Sequence, residues 1–323
     1  MARNAYSEHR TVTVNGVDVH LVERGEGALV LLLHGFPGSW YSWRHQVHAL
    51  ADAGFRVAAP DMRGYGRSSC PAEVERFSLP HLVGDVVGLI AALGERDAMV
   101  VGHDWGAPVA WATALMRPDL VRGVVGLSVP PYGPLLPIRR PAVPPVQALR
   151  QQFGDSFYMA SFQEPGQAES ALDGDVRASL LGMFAGTDSG NAREARFDDD
   201  HRPRDLVVPL PKWLSDDDLD AHAEALAQHG FRGGLNYYRN IDRNWELLAP
   251  WDGALITPPA RYLIGDRDNV SAFLPVPGSL DELREIAPRA TAIVTVADCG
   301  HWTQQEQPEN VSRELIEFAR GLE

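Results

Sequence analysis

Residues 29–33 read LVLLL, five apolar side chains in a row. A strand with one face in water alternates apolar and polar residues, so an unbroken run fits a strand covered on both faces, as in a parallel sheet between helices. Comparable runs recur at 57–59, 98–101, 121–127, 260–264 and 292–296. Leu82–Leu93 and Val311–Phe318 instead place apolar residues three and four apart, the spacing of a helix face. Strand alternating with helix defines a doubly wound α/β sheet. Upstream, Arg10–Val14 and Val17–Val22 alternate around Asn15-Gly16, a two-residue hairpin dipeptide, so the chain is expected to open with an antiparallel pair.

The strand–helix rhythm breaks between about 130 and 250. Residues 129–146, VPPYGPLLPIRRPAVPPV, carry fixed proline φ values and read as a stiff, extended lead-in. Helix-like stretches follow at Ala168–Leu172 and Leu219–His229, and the polar 187–205 segment reads as a long mobile loop. The rhythm then resumes. The expected organisation is one α/β core in two parts, 1–132 and 250–323, interrupted by a mostly helical cap at 133–249.

A chain of 323 residues that is 45% hydrophobic can bury a sizeable core. Its formal net charge of −14 offers no basic surface to nucleic acid or to an anionic membrane, which points to a small-molecule partner. No run approaches the about 20 apolar residues of a membrane span, and the N-terminal stretch lacks the apolar segment of a secretory signal. Cys70 and Cys299 are too few for a disulfide scaffold and match no zinc spacing, so packed, reduced thiols and a cytoplasmic location are expected. The oligomeric state stays open between monomer and homodimer.

The apolar run ending at Val101 stops at Gly102-His103-Asp104-Trp105-Gly106, and helical spacing begins after Gly106. Gly-x-Ser-x-Gly on such a strand-to-helix turn holds a nucleophile over the end of the sheet, and here the central residue is Asp104. An aspartate at this point can also simply cap a helix. Two further features favour chemistry. His301 follows the run 292–296, and Asp266 and Asp268 follow the run 260–264, giving the chain order nucleophile, acid, base. Position alone leaves both aspartates open as the acid, since Asp266 could instead close its loop. His201 with Asp198–Asp200, or His222, could be read as metal ligands, but the charge run is more simply a solvated face, and neither a metal nor any other cofactor is expected.

A carboxylate nucleophile suits displacement at saturated carbon, leaving an ester. With an ordinary pKa of about 3.9 an aspartate starts ionised and needs no base to activate it. His301 is then free to deprotonate water for attack on the ester carbonyl, with the N–H groups of Phe36 and Trp105 as candidate donors to the oxyanion. A departing halide needs only polar edges, whereas an epoxide oxygen becomes an alkoxide and needs proton donors, a role open to Tyr158 and to one of Tyr237 and Tyr238. On a helix the latter two point about 100° apart, so only one faces a given site.

His34–Gly38, Ser39–Arg44, Arg63–Ser68, Gly102–Gly106, Phe162–Gly166, Asn236–Asn244 and Gly300–Trp302 together resemble the soluble epoxide hydrolase family of α/β-hydrolases. The resemblance runs from about residue 10 to the C-terminus. It implies an α/β-hydrolase fold, Asp104 as nucleophile, His301 as base and Asp268 as its acid. Tyr158 and Tyr238 fall on the two ring-opening tyrosines, and Phe36 and Trp105 on the oxyanion donors. The substrate pocket is expected at His34, Pro37 (in a cis bond), Trp105, Tyr158, Tyr238 and Trp302, taking an epoxide and water. The interval from Asp268 to His301, with Phe273–Gly278 inside it, is long for the family, and it and the 187–205 segment are expected to border the pocket. Two other readings compete. A haloalkane or haloacid dehalogenase would share the aspartate but has no use for paired tyrosines, and a ligand-binding protein on the same scaffold would be expected to lack a triad member.

Overall fold

The computed structural model describes residues 8–186 and 209–322. Eight strands form one sheet, β1 (Glu8–Val14), β2 (Val17–Arg24), β3 (Leu29–Leu33), β4 (Arg56–Pro60), β5 (Ala98–His103), β6 (Val121–Leu127), β7 (Ala260–Gly265) and β8 (Ala290–Val296). Their spatial order is β1-β2-β4-β3-β5-β6-β7-β8. The first two strands pair antiparallel, β2 pairs antiparallel with β4, and every later pairing is parallel. Asn15 and Gly16 sit at φ 50° and 74°, the left-handed values that the hairpin turn requires.

All five residues of β3 are buried, and they divide between two cores. Leu29, Leu31 and Leu33 join the cluster that includes helix α2 (Leu79–Ala92) and helix α3 (Gly106–Met116). Val30 and Leu32 join the opposite cluster, with α1 (Arg44–Asp52) and the C-terminal helix (Pro308–Arg320). Period-two alternation therefore feeds both faces of the sheet, which is why no polar residue is tolerated in the run. Helix α3 is buried at every position from Gly106 to Leu115, as expected for a helix enclosed on all sides. Helix α2 begins at Leu79, three residues before the apolar spacing starts, because Pro80 is accommodated in a first turn.

Between β6 and β7 the described residues form the helices α4 (Pro145–Phe153), α5 (Tyr158–Ser161), α6 (Gln167–Leu172), α7 (Val176–Gly186), α8 (Asp216–Leu226), α9 (Arg232–Arg239) and α10 (Ile241–Leu247). The proline-rich lead-in is packed down: Leu135, Leu136 and Ile138 are buried, and the Ile138 carbonyl accepts a bond from Gly253 N at 2.8 Å. Helix α8 ends at Leu226 instead of His229. It is fixed at its start by Ser215, whose hydroxyl accepts from Asp218 N at 3.1 Å. The 187–205 segment lies outside the described residues. The core closes with α11 (Leu280–Arg284) before β8, then α12 (Thr303–Glu306) and α13, the C-terminal helix already introduced.

The cap is tied to the core by side chains from both. Asp218 on α8 pairs with Arg44 at 3.0 Å and accepts from the Tyr41 hydroxyl at 3.0 Å. Asn244 on α10 accepts from Leu79 N at 2.8 Å, satisfying one of the orphan donors at the start of α2. These ties hold the cap over the carboxyl ends of the parallel strands, where ligands bind in open α/β sheets.

Candidate active site

Asp104 occupies the turn between β5 and α3 at φ 50°, a left-handed conformation that is costly for most residues but within reach of aspartate. The turn is this sharp because the flanking backbones touch. A Cβ on Gly102 would collide with the Gly106 carbonyl, and one on Gly106 with the Leu33 carbonyl. Glycine at Gly35 plays the same part on the neighbouring loop, where a Cβ would strike the Asp104 carboxyl and lie 2.6 Å from Trp105 N. That loop includes the cis Phe36-Pro37 peptide.

The two carboxylate oxygens of Asp104 have different surroundings. Oδ1 accepts the Phe36 backbone N–H at 2.7 Å, with Trp105 N beside it at the start of α3. Oδ2 lies 3.5 Å from His301 Nε2. His34 supports this loop: it is fully buried, its Nδ1 donates to the Gly35 carbonyl at 2.9 Å, and its Nε2 accepts Met62 N–H at 3.0 Å. Both ring nitrogens are thus spent inside the fold, so His34 offers neither nitrogen to a substrate.

His301 sits on the loop after β8. Its Nδ1 is 3.2 Å from Asp268 Oδ1 and 2.9 Å from the hydroxyl of Ser128. Burial disfavours charge on the imidazole, but Asp268 on one side and Asp104 on the other outweigh it, and the pKa is pushed up to about 10. Burial likewise disfavours charge on Asp268, yet the imidazolium, its hydrogen bond and the Val270 N–H hold that carboxyl below the usual aspartate range. Position in the sequence left two aspartates open, and the loop after β7 separates them. Asp268 caps the helical turn 269–272 and faces the imidazole, whereas Asp266 accepts Asp298 N and Cys299 N, both at 3.0 Å, and closes the loop.

The tyrosines come from two short cap helices. Tyr158 begins α5 and Tyr238 lies near the end of α9, their ring centroids 5.7 Å apart. Tyr238 stands edge-on to Trp105 at 5.2 Å and to Phe36 at 5.5 Å. Gln163 sets the two helices in register, donating from one amide nitrogen to the Met159 carbonyl at 2.7 Å and the Tyr238 carbonyl at 3.0 Å. Burial first, then the nearby Asp104 charge, pushes both phenols well above the ordinary tyrosine pKa and keeps them protonated. Tyr237 faces away, its hydroxyl donating to the Arg63 carbonyl at 3.0 Å. Trp302 packs against His301 at 4.8 Å, and Phe273, from the long interval after Asp268, lies 5.9 Å from the Tyr158 ring.

Two polar residues at this site were given no role by sequence reasoning. Ser128 follows β6 directly, and its only sequence signal is a hydroxyl at the end of an apolar run. His103 precedes Asp104; burial lowers its pKa to about 4, so it is neutral and donates Nε2–H to the His301 carbonyl at 2.7 Å. His222, weighed above as a metal ligand, is buried between cap and core with Nε2 3.2 Å from Gln305 Oε1. Among the described residues no group of three His, Cys, Asp or Glu side chains could hold a metal ion, and no helix is long and apolar enough to cross a membrane.

An aspartate on a strained strand-to-helix turn, a histidine and an acid on later loops, and a helical insertion between β6 and β7 define the α/β-hydrolase class. Residues 28–308 match the family described as alpha/beta hydrolase fold. The chain is 43% identical to epoxide hydrolase A of Mycobacterium tuberculosis, covering 97% of this chain and 98% of that protein. It is 39% identical to epoxide hydrolase 3 of Siraitia grosvenorii, covering 96% and 98% respectively. The crystal structure of an epoxide hydrolase from Vigna radiata superposes with a TM-score of 0.90 at 38% identity, covering 99% of this chain and all of that one. That of epoxide hydrolase A from Mycobacterium thermoresistibile gives 0.90 at 42%, covering 98% and 99%. The chain belongs to the epoxide hydrolase family.

Proposed function

We propose that this epoxide hydrolase works through a covalent ester on Asp104. The observation that carries the proposal is the unequal setting of its two oxygens: Oδ1 held by Phe36 N–H at 2.7 Å, Oδ2 turned toward His301 at 3.5 Å. Oδ2 attacks one epoxide carbon, the C–O bond breaks, and the departing oxygen takes a proton from Tyr158 or Tyr238. Oδ1 then becomes the ester carbonyl, bonded to Phe36 N–H at 2.7 Å, and the N–H groups of Phe36 and Trp105 stabilise the oxyanion of the next step.

Ester formation also changes His301. The imidazole loses the Asp104 charge, one of the two carboxylates that offset its burial, and so holds its proton less firmly. A buried tyrosinate meanwhile takes a proton up readily. Exchange of that proton through water leaves a neutral imidazole and two neutral phenols, with no net gain or loss by the site. The neutral imidazole, fixed through Nδ1, takes a proton from water at Nε2, and the resulting hydroxide attacks the ester carbonyl. Collapse releases a vicinal diol and restores the carboxylate.

The cap-side wall of Phe157, Tyr158 and Phe273, with ring centroids 4.9–5.9 Å apart, supports an epoxide bearing an apolar substituent. Free thiols at Cys70 and Cys299 fit a reducing compartment such as the cytoplasm. The test is a single turnover of excess enzyme in heavy-oxygen water. The ester route gives unlabelled diol in the first turnover and places the label in Asp104; label in the first diol means that water opens the ring directly and overturns the proposal.

A further inference from the structure

Ser128 stands directly after β6, fully buried, at φ 69°. Serine gains nothing by itself from this left-handed conformation, which persists only where surrounding structure enforces it. Three bonds do so here. Ser128 N donates to the Leu263 carbonyl at 2.8 Å, the Ser128 carbonyl accepts the Tyr262 hydroxyl at 2.6 Å, and its hydroxyl meets His301 Nδ1 at 2.9 Å. The last contact is shorter than the 3.2 Å from the same nitrogen to Asp268 Oδ1.

A base that takes a proton at Nε2 must carry its own proton on Nδ1. Two acceptors therefore compete for one N–H, and the hydroxyl has a hydrogen of its own to give. We propose that Ser128 is a positioning residue of ester hydrolysis: its Oγ accepts the His301 Nδ1–H and its hydrogen is donated to the Asp268 carboxylate, so that the acid holds the imidazole partly through the serine. Ser128 is also among the groups that favour the ionised form of Asp268. The left-handed turn then has a use, since it brings the hydroxyl to the imidazole. This inference rests on His301 being the base of the proposed cycle.

Two variants separate hydroxyl from backbone. Ser128→Ala keeps the Cβ and loses the oxygen, and Ser128→Gly loses the oxygen while relieving the left-handed strain. The first measurement is the downfield ring N–H proton resonance of His301, assigned by its loss in His301→Gln. The second is single-turnover ester formation and ester hydrolysis with styrene oxide as the probe. Both variants are expected to move the resonance upfield and to slow ester hydrolysis about 10-fold, the scale of one hydrogen bond to a charged group. Ester formation stays within about threefold, so kcat and KM fall together, and the acid limb of kcat moves to lower pH as the base weakens. An unmoved resonance with wild-type hydrolysis overturns the proposal, as does a defect in Ser128→Ala that Ser128→Gly cures. If the wild-type enzyme forms no ester the nucleophile assignment fails instead, and the resonance still decides whether Ser128 holds the imidazole.

Discussion

Phe36 donates its backbone N–H to Asp104 Oδ1 at 2.7 Å, across 68 positions of chain. In the proposed cycle this bond leaves Oδ2 of Asp104 as the attacking oxygen of the nucleophile. Asp104→Asn replaces that nucleophile with a neutral amide of the same shape, and asparagine tolerates the left-handed turn. The variant is expected to melt within a few degrees of the wild type while kcat/KM falls on the order of 10⁴-fold or more. Melting curves and initial rates on one epoxide check both parts.

His301→Gln removes the proposed base and leaves Asp104 and both phenols in place. It is expected to add one epoxide per enzyme and then stall, with turnover reduced at least about 10²-fold. Intact-protein mass spectrometry reads the adduct as a gain equal to the whole epoxide mass, and peptide mapping places it on Asp104. An unmodified protein after long incubation counts against the base assignment.

Tyr158 and Tyr238 approach the site from different helices, with ring centroids 5.7 Å apart, so one phenol can cover partly for the other. Each single change to Phe is expected to slow ring opening by roughly 10–10²-fold, and the double change to bring it to background. A parallel assay on haloalkanes separates the two leaving groups, because a halide departs without a proton. A double variant that keeps its epoxide activity would remove the tyrosines from the mechanism.

The parallel sheet was legible because its strands are buried on both faces. That condition writes itself as unbroken apolar runs such as 29–33, and β3 occupies those five residues. The turn that carries Asp104 was legible for a related reason, since Gly102 and Gly106 are required by backbone contact and so bracket that residue. Position alone did not separate Asp266 from Asp268, because two carboxylates two positions apart look alike in the sequence; the family resemblance pointed to Asp268, which is the one that lies 3.2 Å from His301. The contacts of Ser128 and His103 with His301 were not legible for a third reason. Each meets His301 through one hydrogen bond, and a polar residue at a strand end has no periodicity to betray such a contact. The cap was readable only in outline, as its helix α5 is four residues long and too short to show a period.

The buried histidines give the stability of the fold opposite slopes on the two sides of neutrality. His103 and His222 are held neutral, each with its pKa lowered to about 4, chiefly by burial. Below the ordinary imidazole value of about 6.5 the unfolded chain binds protons at both positions that the folded chain refuses, so stability falls as the pH drops from about 6.5 toward 4. His301 has the reverse sign. Its pKa is raised to about 10, so its contribution is complete below about 6.5 and is lost as the pH climbs through 10. Asp268, held below the usual carboxylate range, adds a contribution present above about 3.9 and lost only in stronger acid. Urea midpoints measured from pH 4 to 10 should therefore peak near pH 6–7 for the share these groups control. His222→Gln is expected to flatten the acid slope and leave the alkaline one, and His301→Gln to do the opposite. Slopes that both variants leave unchanged would mean that these imidazoles titrate alike in the folded and unfolded chains, which their burial and charged neighbours forbid if the site is built as described.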